Sequence, residues 1–142
     1  VNTIVTGLQK AGKYLEEIGP GGLIGMSTKL DPSLTKSDAL SGSILGLKGK
    51  LPPIQKEMKI KTSLLERVVG AKEDVKVGSM KTGDIVMLTI GTMRTTGSVK
   101  SGREGEMEVK LKNPLCADKG ERIAISKLVN RRWRLVGYGK VA

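Results

Sequence analysis

Arg131, Arg132 and Arg134 surround Trp133, the only tryptophan of the 142-residue chain, and no acidic residue lies between Asn130 and Ala142. These residue types fit nucleic-acid chemistry: guanidinium groups pair with phosphate, and an indole can stack on a base. The same spacing also fits a closing β-strand. Period 2 would then set Arg132, Arg134, Val136 and Tyr138 on one face and Trp133, Leu135, Gly137 and Gly139 on the other. On that reading Trp133 packs, and the two glycines let a neighbouring strand or domain come close. The arginines are then phosphate contacts on a rigid edge, with no role in reading bases.

Bond-making chemistry finds few residues to use. Histidine is absent, which removes imidazole bases, His-dependent triads and His-rich metal sites. Neither GxGxxG nor GxxxxGK[ST] occurs, so the chain itself holds no readable phosphate cradle and no cofactor is expected within it. The acidic groups Glu16–Glu17, Glu73–Asp74 and Glu104, Glu106 and Glu108 carry no catalytic pattern. The last three alternate beside lysines and read as a solvated strand face. No catalytic and no metal-binding residue is assigned.

Charge points towards a polyanionic partner. The chain has 25 Lys and Arg against 14 Asp and Glu, a net charge of +11. The excess is uneven: residues 1–52 hold six basic and four acidic residues, and residues 53–142 hold nineteen and ten. Nucleic acid is the commonest partner of such a surface. The lone cysteine, Cys116, cannot close an internal disulfide and reads as a small buried apolar group in a cytoplasmic protein. No apolar run reaches the ~18–20 residues of a membrane span. The start, Val1-Asn2-Thr3-Ile4-Val5, is strand-like and lacks an initiator methionine, as expected of an internal fragment.

The elements that must position these residues read as strands. Phe is absent and aromatics are 2%, so the core falls to Val, Ile, Leu and Met. Strands are expected at 2–8, 22–30, 42–49, 57–70, 83–91, 92–102, 106–112, 121–129 and 132–141, with 64–69 also compatible with a helical turn. Met58, Ile60 and Thr62 share one face, as do Met107, Val109 and Leu111, and Ile123 and Ile125. Asp31-Pro32 opens a turn, and Pro52-Pro53 marks a linker. The chain is therefore expected to be all-β, with a boundary between 1–52 and 53–142.

Several blocks go beyond pattern: "PGGLIGMSTKLDPSLTKSDALSG" (20–42), "GKLPP" (49–53), "LLERVVG" (64–70), "IGTMRTTGSV" (90–99), "NPLCADKGERIAISK" (113–127) and "RRWRLVGYGKV" (131–141). In order and spacing they resemble the C-terminal half of the gamma subunit of archaeal and eukaryotic translation initiation factor 2. The resemblance implies two translation-factor-type β-barrels: the end of the second-domain barrel at 1–52, incomplete, and the whole third-domain barrel, like domain 3 of elongation factor Tu, at 53–142. It implies a GTPase domain upstream that holds GTP and Mg²⁺, and a parent that delivers initiator methionyl-tRNA to the small ribosomal subunit. The alpha and beta subunits of the same factor and its own GTPase domain are the implied protein partners, with no membrane. Lys29, then Lys36, become candidates for the tRNA acceptor arm, and Lys100, Arg103, Arg131, Arg132 and Arg134 for ribosomal RNA. The alternative is a stand-alone basic β-barrel RNA-binding or ribosomal protein. A P-loop upstream in the reading frame would separate the two.

Overall fold

The computed structural model describes residues 1–70, 75–103 and 105–142. It divides into two compact units, Val1–Ser41 and Gly42–Ala142. The sequence-based boundary at 52/53 stands eleven residues further on, directly before the first strand of the second unit.

In the first unit, β1 (Val5–Lys10) pairs antiparallel with β2 (Lys13–Leu15) and β3 (Gly25–Thr28), in the order β2-β1-β3. The β1–β2 hairpin turns at Ala11-Gly12, both with positive φ, the geometry of a tight two-residue hairpin. Lys10 Nζ donates to the Gly21 carbonyl at 2.9 Å and so ties the Pro20-Gly21-Gly22 turn to β1. Past β3 the expected turn is a single helical one, α1 (Pro32–Thr35). Pro32 occupies its first position, and the Asp31 carboxylate accepts from the Ser33 N–H at 2.9 Å. Every buried hydrophobic side chain among the described residues lies at Met58 or beyond, so this sheet has no buried core of its own.

The second unit is a closed antiparallel barrel of six strands: β4 (Ile54–Leu64), β5 (Ile85–Ile90), β6 (Met93–Arg103), β7 (Glu106–Cys116), β8 (Arg122–Val129) and β9 (Arg132–Val141). Round the ring the order is β4-β7-β6-β5-β8-β9. Closure removes every open sheet edge, the usual liability of an isolated sheet. Period-2 alternation sends Met58, Ile60, Val86, Leu88, Met107, Val109, Ile123 and Ile125 inward, each at most 3% exposed. Filling each such position contributes about 1.5–3 kcal/mol. Among the described residues Thr95 is the one buried polar side chain. It lies beside Asn113, which precedes Pro114 in β7, and its hydroxyl donates to the Asn113 carbonyl at 2.9 Å.

Two expected elements differ. No strand forms over 42–49. Gly42 and Gly49 take positive φ, and Ile44, Leu45 and Leu47 are exposed with no pairing partner. The alternation is apolar enough for a strand, but the closed barrel offers no edge to join. The helical turn considered for 64–69 does not form either: the Val68 N–H bonds the Val75 carbonyl, and Arg67 bridges antiparallel to Lys76.

Candidate nucleic-acid interface

β9 decides how the Arg-Trp-Arg stretch is presented. It forms over the residues expected, 132–141, but a β-bulge at Val136 breaks its alternation: Ile125 pairs with Gly137, and Ser126 with Leu135. Val136 and Gly137 therefore both face inward. The single alternation over 132–139 is thus corrected: Trp133 and Leu135 do not share a face with Gly137 and Gly139. Both point outward, each 37% exposed, with Trp133 beside Leu128 of β8. Beyond the bulge Tyr138 and Lys140 turn outward, and Tyr138 is 59% exposed.

The glycines do what close strand approach requires. A Cβ on Gly139 would stand 2.4 Å from the Lys61 carbonyl oxygen, and one on Gly137 would stand 2.8 Å from that of Ser63. Neither has positive φ. Space, not backbone conformation, demands them.

The five barrel candidates do not form one patch. Lys100 and Arg103 lie on β6, and Arg131, Arg132 and Arg134 on β9 or its turn, and these strands are three apart in a ring of six. Lys100 is the extra residue of a bulge between Val99 and Ser101, which turns its side chain onto Glu57 at 2.9 Å. That hydrogen bond and the adjacent carboxylate charge raise the Lys100 pKa, and the lysine lowers that of Glu57. Its charge is already partnered. Arg103 is exposed at the end of β6, in the wall of a cavity of about 870 Å³ shared with Lys81 and Glu106. Arg134 is half-buried: a Cβ at Gly70 would stand 2.8 Å from its Nη1, so the guanidinium lies against that backbone.

Arg131 and Arg132 are differently placed. Asn130 and Arg131 form the two-residue β8–β9 turn with φ of 49° and 62°. Such a turn favours Asn-Gly, and a long side chain at the second position is held at a conformational cost. Both arginines are exposed. In the first unit Lys29 and Lys36 bracket α1, both exposed and both without a carboxylate partner.

The carboxylates behave as surface groups where they are described. Glu106 and Glu108 stand opposite Lys61 and Lys59 across the β4–β7 ladder. Glu73, Asp74 and Glu104 lie outside the described residues. Asp84 is a contact the sequence did not disclose: its carboxylate accepts from Lys127 Nζ at 2.8 Å and from the Lys81 N–H at 2.9 Å. Burial pushes the Asp84 carboxyl up, but these hydrogen bonds and the two lysine charges outweigh it and leave the pKa lowered. Among the described residues no group of His, Cys, Asp or Glu could hold a metal ion, and Cys116 is half-buried. No described helix is long and apolar enough to cross a membrane.

A closed six-stranded barrel and a separate partial sheet are consistent with all-β translation-factor domains. Residues 56–141 match the family model described as "Initiation factor eIF2 gamma, C terminal". The chain belongs to this family. Among relatives of the eIF2 gamma family, it is 52% identical over 139 residues to translation initiation factor 2 subunit gamma of Methanothermobacter thermautotrophicus, covering 98% of this chain and 34% of that protein. It is 49% identical over 141 residues to the subunit of the same name from Methanocaldococcus jannaschii, covering 99% of this chain and 34% of that one. The chain thus spans about a third of the length of the curated relatives it matches.

Proposed function

We propose that this chain is the non-catalytic barrel segment of a GTP-hydrolysing initiation subunit that delivers initiator methionyl-tRNA to the small ribosomal subunit. The observation that carries this reading is the 52% identity, over nearly the whole chain, to a protein named translation initiation factor 2 subunit gamma. GTP and Mg²⁺ belong to a domain upstream. The alpha and beta subunits and that GTPase domain are the protein partners, and the cytoplasm is the working compartment.

Within this segment Lys29 and Lys36 serve the tRNA acceptor arm. Their support is physical: two unpaired, exposed ammonium groups bracket a short capped turn and offer point charges to phosphate. Arg131 and Arg132 serve ribosomal RNA. A left-handed arginine at a hairpin tip, where glycine would be easier to hold, suits a side chain kept for what it contacts. Contacts of this kind position an RNA without reading its sequence, and they weaken steeply with salt.

Charge reversal in the complete factor separates the roles. Lys29→Glu should weaken initiator tRNA binding at low salt. Arg131→Glu with Arg132→Glu should spare tRNA binding and reduce small-subunit association. Unchanged tRNA affinity for Lys29→Glu would remove that residue from the site.

A further inference from the structure

On the outer wall of the barrel three cations line up across three adjacent strands. Lys140 of β9 is the direct cross-strand partner of Lys61 on β4 and of Arg122 on β8. At the strand spacing of a sheet the row spans about 10 Å. Like charges placed directly opposite are destabilising, so the fold holds this row at a cost. Glu106 faces Lys61 from the far side, on β7. Yet among the described residues none of the three cations is ion-paired.

The next row holds Ser63, Tyr138 and Ala124, again direct partners across β4, β9 and β8. Its two small flanks leave the Tyr138 ring open on either side. Tyr138 is 59% exposed, and no hydrogen bond holds its hydroxyl. Lys61, Ser63, Arg122, Tyr138 and Lys140 wall a groove of about 590 Å³ whose lining holds no carboxylate. The bulge at Val136 creates the site, because it is what turns Tyr138 outward beside Lys140.

We infer that this groove binds a short single-stranded stretch of RNA, with Tyr138 stacked on one unpaired base and Lys61, Lys140 and Arg122 on the flanking phosphates. An open aromatic beside a row of unpaired cations is the arrangement that recognises single strands without regard to sequence. A duplex fits poorly, because its bases are already stacked and hidden from the ring. The inference rests on the reading of the barrel as an RNA-contact module, and it adds a place and a chemistry distinct from the Arg131-Arg132 turn.

The test uses the complete gamma subunit and a fluorescein-labelled twelve-nucleotide oligo(U), followed by anisotropy from 50 to 300 mM salt. Tyr138→Ala should weaken binding roughly 5- to 100-fold, the range for loss of one stacked base, with the salt slope unchanged. Tyr138→Phe should stay within about twofold of the parent, since its ring can still stack. Lys140→Gln should lower the slope of log affinity against log salt by about 0.7. Thermal unfolding is followed in parallel, and an unchanged midpoint ties the loss to the groove. Oligo(U) affinity indifferent to Tyr138→Ala and Lys140→Gln overturns the inference, as does equal loss in Tyr138→Phe. Tighter binding of polyglutamate than of oligo(U) would also overturn it, in favour of an acidic protein partner. If small-subunit association falls with Arg131→Glu and Arg132→Glu while Tyr138 variants bind oligo(U) normally, the groove fails and the module reading stands.

Discussion

Gly139→Ala tests the packing of β9 at its tightest point. An ordinary Cβ contact is 3.4–4 Å, and here the added Cβ would stand 2.4 Å from the Lys61 carbonyl oxygen and 2.6 Å from Ile60 Cγ2. Relief requires β9 and β4 to part by about 1 Å, which loosens the ladder and the core beneath it. Overpacking of this kind costs about 1–3 kcal/mol. Alanine returns part of it, about 0.5–1 kcal/mol, by restricting the unfolded chain. The net loss is about 1–2 kcal/mol, and for a barrel of this size each kcal/mol lowers the melting temperature by about 4–8 °C. Far-UV circular dichroism of the whole chain should therefore show a midpoint about 5–15 °C lower. Trp133, the sole tryptophan and on the same strand, reports the same transition by fluorescence. Gly78→Ala is the control, since its Cβ would meet open space and its φ is not positive; it should shift stability by less than about 0.5 kcal/mol. A Gly139→Ala midpoint within about 2 °C of the parent would refute the close approach, since about 1–2 kcal/mol should move it further.

Other outcomes follow from the same geometry. Asp84→Asn should cost about 1 kcal/mol at pH 6–7, because Lys127 and the Lys81 N–H lose an ionised acceptor. The Asp84 carboxyl titrates below its ordinary value in the folded chain, so its contribution is full above the unfolded pKa of about 3.9 and fades as the pH falls through the lower folded value. Urea midpoints of parent and variant should thus converge in acid; a gap that persists at pH 2 would count against the ion pair. Arg131→Gly should stabilise the barrel by about 0.5 kcal/mol, because easing the left-handed position (~1–2 kcal/mol) outweighs the freedom glycine gives the unfolded chain (~0.5–1 kcal/mol), and should still weaken small-subunit association. A fall in melting temperature would show that the side chain is structural. Ile125→Ala, at a fully buried site, should destabilise by about 2–5 kcal/mol in chemical unfolding.

Much of the fold was legible because a half-buried strand writes its face into the sequence. Met107, Val109 and Leu111 of β7 and Ile123 and Ile125 of β8 are read at period 2, and all are buried. Segment 42–49 reads as a strand and forms none, because an apolar stretch does not reveal whether a sheet edge is available to it. The candidate site was less legible. Bulges at Lys100 and Val136 each flip the phase of a strand, and no local signal marks them, because they arise where two strands of the barrel meet out of step. That is why Lys100 reads as a free cation and is paired to Glu57, and why simple alternation puts Tyr138 on the face of Arg132 and Arg134. The Lys61–Lys140–Arg122 row was invisible for a related reason. It joins positions far apart in the chain, and only the ladder register brings them together.

The RNA-contact role proposed for the barrel of this eIF2 gamma family chain has a direct test. Crosslinking of the complete factor on the small ribosomal subunit, mapped to residues 42–142, tests it most directly. RNA adducts are expected at the β8–β9 turn, Arg131 and Arg132, and in the groove at Tyr138 and Lys140. A factor that binds the subunit productively yet leaves this barrel free of RNA adducts would contradict it.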